Sequence, residues 1–143
     1  MEKSFYTGKG IGVCILDTGI YEHIDFTGRI WAFYDFLAFK RRPYDDNGHG
    51  THVAGLVAGD GTASMGKYRG AAPGCGIISL KVLDRYGTGS QDDVLRALRW
   101  IRENRQQYED PGGKYFVWEL PVIQKETMPG FWKVWSGCGM KEW

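Results

Sequence analysis

From Gly12 to Ile101 short apolar runs alternate with helix-like stretches, and that alternation restricts the possible folds more than any other feature. Gly12-Val13-Cys14-Ile15-Leu16 is an apolar run cut off by Asp17-Thr18-Gly19, the pattern of a strand entering a tight turn. Ile30 to Tyr34 is a second β-like run and Ile77 to Leu83 a third. Between them His52 to Ala58 is small and apolar, which suits a tightly packed helix beginning near Gly50 and ending near Gly59. A further helix starts at Ser90, where Asp93 completes a capping box. On it Val94, Leu95, Leu98 and Ile101 share one face, with Arg96, Arg99 and Arg102 largely turned away. Strands alternating with helices predict an α/β fold: a parallel sheet covered on both faces, in three layers.

Composition excludes several functions. The chain of 143 residues has room for one ordinary domain and not two. Its net charge of +1, with no basic stripe beyond Lys40-Arg41-Arg42, argues against nucleic acid and against anionic membrane as partners. No apolar segment approaches the ~20 residues that cross a bilayer. The N-terminus runs into a strand pattern with neither an apolar h-region nor a cleavage signal, so the expected location is cytoplasmic. Cys14, Cys75 and Cys138 have no paired spacing, and Cys14 reads as an inert core thiol. Oligomeric state is not legible.

Two blocks carry chemistry. Val13-Cys14-Ile15-Leu16-Asp17-Thr18-Gly19-Ile20 puts a carboxylate at the end of a buried strand. Asp46-Asn47-Gly48-His49-Gly50-Thr51-His52-Val53-Ala54-Gly55 puts a histidine at a helix start, among glycines that let backbones approach closely. In open parallel sheets functional groups gather beyond the carboxyl ends of the strands. A buried aspartate there can accept the Nδ1–H of an imidazole and leave the other ring nitrogen free to take a proton. His49 and His52 do not form a zinc site, since no His-Glu-x-x-His and no third ligand accompany them.

Both blocks resemble those of the subtilase (subtilisin-like) serine proteases, peptidase family S8, over roughly Gly10 to Asn104. The His-Gly-Thr-His-Val-Ala-Gly block is specific; Asp-Thr-Gly alone is weak, since retroviral-type aspartic proteases use it too. The resemblance implies a serine endopeptidase, with Asp17 as the orienting aspartate, His49 as the general base and a peptide or protein as substrate. It implies that Gly87, Thr88 and Gly89 form an exposed strand that pairs with extended peptide. It implies no cofactor, with calcium left open: some members use the carboxylate that corresponds to Asp25, but the loop from Gly59 to Gly66 does not clearly match.

The resemblance also implies a division into residues 1–109, the N-terminal part of a peptidase domain, and an irregular tail, 110–143. The family's Gly-Thr-Ser-Met-Ala nucleophile block and its oxyanion-hole asparagine are not among these residues. Ser64, in Gly61-Thr62-Ala63-Ser64-Met65, departs from that block by an extra alanine, and Ser136 has no helical continuation. The chain alone is therefore expected to be truncated and inactive. The alternative is a non-catalytic peptide-binding fragment, or pseudoprotease, using Gly87 to Gly89. The tail holds Trp118, Trp132, Trp135 and Trp143 with no sustained period and with prolines at 111, 121 and 129. Shifted by one base, Asp110 to Glu119 permits Ile-Arg-Val-Val-Asn-Ile-Ser-Cys-Gly-Asn, which resembles the family's next strand. Shifted by two bases, the segment from about Pro129 permits a helical pattern with a glycine stop. The tail thus reads as out-of-frame text produced by two small insertions or deletions. In that case the strand following the second helix is missing and its neighbour is left with an unpaired edge.

Overall fold

The computed structural model describes residues 6–108 and the backbone of Phe116–Glu119. Strand β1 (Gly12–Asp17) is followed by β2 (Ile30–Asp35), helix α1 (His49–Ala58), β3 (Gly76–Lys81), helix α2 (Gln91–Tyr108) and β4 (Phe116–Glu119). Single 3-10 turns form at Ile24–Phe26 and Thr62–Ser64. The strands make one parallel sheet in the order β2-β3-β1-β4. β1 and β3 pair over their whole length, from Gly12 opposite Gly76 to Asp17 opposite Lys81.

Every residue of β1 and β3 is buried, as befits central strands with helices on both faces. Strand alternation sorts their side chains into two cores. Val13, Ile15 and Ile77 pack with Phe26, Phe33, Ala54 and Ala58 on the α1 side. Cys14, Leu16, Ile78 and Leu80 pack with Val94, Ala97, Leu98 and Ile101 on the α2 side. The three layers are those the alternation predicts. Helix α1 buries Gly50, Ala54 and Ala58, one small residue per turn, so it lies close against the sheet. Burial pushes the Cys14 thiol up to about 12, in keeping with an inert core residue.

Helix α2 follows the expected pattern with two differences. The Ser90 hydroxyl accepts the Asp93 amide at 3.1 Å, but the short Asp93 carboxylate takes the hydroxyl proton at 2.7 Å, so the box is not reciprocal. Arg96 is not turned away. Its Nη2 donates to Phe36 O at 2.9 Å, and its guanidinium sits over the rings of Phe36 and Phe39.

The unpaired edge expected beside β1 is corrected. Phe116–Glu119 pairs with it in parallel, Gly12 opposite Phe116 through Ile15 opposite Glu119. Phe116, Val117 and Trp118 are strand-favouring residues, and an available sheet edge is enough to recruit them. The rest of 110–143, with Cys138, Ser136 and the out-of-frame interpretation, lies outside the described residues.

One buried side-chain atom, Ser79 Oγ on β3, has no hydrogen-bond partner among the described residues. A buried unsatisfied hydroxyl costs about 1–3 kcal/mol. Ser79→Ala is therefore expected to raise the urea midpoint or leave it unchanged, whereas Leu98→Ala should lower stability by about 2–5 kcal/mol. Clear destabilisation by Ser79→Ala would contradict the first expectation.

Candidate active site

Asp17 is the last residue of β1 and its side chain is 2% exposed. His49 is the first residue of α1, and its Nδ1 lies 2.9 Å from Asp17 Oδ1 and 2.8 Å from Oδ2. The Thr18 amide donates to Asp17 Oδ1 at 2.6 Å and helps fix the carboxylate. A carboxylate facing Nδ1 selects the tautomer with its proton there, which leaves a lone pair on Nε2. The imidazole is 56% exposed, so the pair is anchored at its acid end and open at its base end.

The two residues meet because two backbones come unusually close. A Cβ on Gly50 would fall 2.2 Å from Gly19 O, and one on Gly19 would fall 2.1 Å from Tyr44 O. Gly19 also has φ +123°, which other residues rarely adopt. Across this contact the Gly50 amide donates to Thr18 Oγ1 at 2.9 Å, and that hydroxyl donates to Asp45 Oδ1 at 2.9 Å. The residue after the aspartate is thereby tied to the residue after the histidine.

Asp45 organises the turn into α1. Its Oδ1 also accepts the amides of Asn47 and Gly48, at 3.1 and 2.8 Å. Its Oδ2 accepts the Thr51 amide at 2.9 Å and the Thr51 hydroxyl at 2.5 Å. Burial pushes this carboxyl's pKa up. Hydrogen bonds from the Thr51 hydroxyl and from the amides of Gly48, Thr51 and Asn47 outweigh that and bring it down to about 2. Sequence reasoning missed Asp45; its position before a glycine-flanked helix start is a capping signal that could have revealed it. Lys81, buried beside Asp17, was missed as well, although one lysine inside the run Ile77 to Leu83 is conspicuous.

The remaining candidates lie elsewhere. Gly87, Thr88 and Gly89 are exposed; Gly87 and Thr88 close a turn onto Asp84, and Gly89 follows it outside any regular element. The amides of Gly87 and Thr88 donate to Asp84 O and Oδ1, at 3.0 Å each, and Thr88 O accepts the Asp84 amide at 2.8 Å. Among the described residues, Gly87 O and the main-chain groups of Gly89 have no hydrogen-bond partner. Ser64 follows the far end of α1, about 15 Å of helix from His49, and its hydroxyl is bonded within its own loop to Gly61 O and the Tyr68 amide. His52 lines a groove of about 570 Å³ with Tyr21, Thr51, Leu56 and Tyr68.

Asp25 Oδ1 accepts the Ala63 amide at 2.7 Å, and no group of three His, Cys, Asp or Glu side chains that could hold a metal occurs among the described residues. A cation already stands there: Arg29 donates to Asp25 O and, at 3.0 Å, to Cys75 O, with Asp60 Oδ2 at 3.7 Å.

A parallel sheet thus sets an aspartate-oriented imidazole beyond the end of a central strand, an arrangement that holds a general base in one tautomer. The chain belongs to the Subtilase family of peptidases, S8, whose pattern matches residues 8–108. It is 48% identical over 106 residues to serine protease AprX of Bacillus subtilis, covering 73% of this chain and 24% of that protein. It is 39% identical over 99 residues to the extracellular serine proteinase of Thermus sp., covering 68% of this chain and 22% of that protein. The chain thus spans about a quarter of the length of these relatives. Its fold is similar to that of a cold-adapted subtilisin-like serine proteinase (TM-score 0.61, 33% identity, 69% of this chain and 34% of that one). It is also similar to sphericase (TM-score 0.67, 29% identity, 82% and 38%).

Asp45 makes acid stability testable. A carboxyl whose folded pKa is depressed, here from 3.8 to about 2, stabilises the fold above its unfolded value and loses that contribution as pH falls through the folded one. The stability difference between wild type and Asp45→Asn should be full above about pH 5 and shrink steadily towards about pH 2. A difference that is the same at both ends would refute the assignment.

Proposed function

We propose that this chain supplies the orienting aspartate and the general base of a serine endopeptidase. The single observation that carries this is Asp17 holding His49 Nδ1 while the ring opens outward. In this reaction a serine hydroxyl approaches His49 Nε2, which takes its proton as the oxygen attacks the peptide carbonyl carbon. The positive charge that forms on the ring is stabilised through Nδ1–H by Asp17, which stays ionised. His49 then gives the proton to the leaving amine as the C–N bond breaks, and water repeats the cycle on the acyl ester.

The hydroxyl comes from a residue outside those described, because Ser64 is committed to its own loop. Taken alone, the 143 residues are therefore read as an incomplete, inactive half-site. Substrate would be extended peptide, met by Gly87 O and by the amide and carbonyl of Gly89 at the exposed turn. The turn geometry supports contact through these groups and not through Thr88. We read the tail beyond Glu109 as out-of-frame sequence; an uninterrupted transcript that encodes it would overturn this.

A fluorophosphonate probe should leave the chain unlabelled, and labelling of Ser64 would sink the half-site reading. In a longer polypeptide that includes a nucleophilic serine, His49→Ala should lower kcat by about 10⁶-fold. Asp17→Asn should lower it by about 10⁴-fold.

A further inference from the structure

We infer that Lys81 is a positioning residue for the dyad: its one buried ammonium ties the strand end that carries Asp17 to the loop that delivers His49. This rests on the reading of Asp17 and His49 as an orienting aspartate and general base.

Lys81 ends β3 and is 2% exposed. An ammonium has three protons to donate, and all three are used. Nζ lies 2.6 Å from Thr18 O, 2.8 Å from Asp46 Oδ1 and 2.8 Å from Leu83 O. Thr18 directly follows Asp17, Asp46 lies in the loop just before His49, and Leu83 belongs to the lysine's own chain segment. The amides of Val82 and Leu83 in turn donate to Asp17 O, at 3.0 and 3.2 Å. One cation therefore fixes three segments whose mutual spacing sets the Nδ1-to-carboxylate distance.

Chemistry favours this role over simple charge neutralisation. Two of the three acceptors are main-chain carbonyls, which neutralise nothing but do fix direction. The one carboxylate, Asp46, is held below the usual carboxylate range by its hydrogen bond to Lys81. A buried lysine is otherwise an expensive choice for a strand end, so these bonds explain its presence. An apolar side chain could fill the space and still leave Thr18 O and Leu83 O unsatisfied.

Nitrogen-15 NMR of the histidine rings in the 143-residue chain tests this directly, because ring couplings report which nitrogen carries the proton. The neutral His49 ring of the wild type should carry its proton on Nδ1. In Lys81→Met that pattern should be lost and replaced by an average of both tautomers, while His23 and His52 keep their signals. Retention of the Nδ1–H pattern in a folded Lys81→Met variant overturns the inference and leaves the dyad intact. Should Lys81→Met not fold, Asp46→Ala decides: it spares the ammonium and cuts only the tether to the histidine loop. Loss of the pattern there supports the inference, and retention defeats it. A wild type that lacks Nδ1–H at His49 would overturn the dyad itself, and this inference with it.

Discussion

The in-register parallel pairing of β1 with β3 is the constraint on which the rest of the site depends. It runs from Gly12 opposite Gly76 to Asp17 opposite Lys81, so the strand-end carboxylate and the strand-end ammonium leave the sheet side by side. A slip of one residue would reverse every side chain and put Val13 and Ile15 where Cys14 and Leu16 now meet α2. The two apolar cores therefore hold the chemistry in place, although none of their side chains bonds to the Asp17 carboxylate or the His49 ring.

Close backbone approach converts that alignment into a working pair. Gly50 lets α1 press against the turn after β1, Thr18 bridges the contact, and Asp45 satisfies the amides that a helix start leaves open. The dipole at the start of α1 and the ring of His49 share one place. Asp17 counters there both the helix's partial positive charge and any proton the ring takes up.

Much of this was legible in the sequence because apolar pattern and motif agreed. Fully buried strands appear as continuous apolar runs, so β1 and β3 were found within one or two residues. The block around His49 is specific, and beside it the weaker Asp-Thr-Gly block pointed to Asp17 as its partner. Lys81 was hidden because its function depends on three acceptors from different stretches of chain, which no local pattern encodes. The turn that Asp84 closes with Gly87 and Thr88 was not legible, because it depends on an aspartate three and four residues upstream. The strand Phe116–Glu119 was unreadable because its pairing depends on the edge offered by β1 and not on a period of its own.

Arg29 has a consequence for how one corner of the fold is held together. Its guanidinium gathers Asp25 O, Cys75 O and the Asp60 carboxylate around a positive charge borne on the polypeptide itself. A tethered cation has a fixed, high local concentration, while a dissolved ion must be supplied by the surroundings. Chelators and dilution act only on the latter. The region joining β2, the end of α1 and the start of β3 thus carries its own counter-ion on the polypeptide.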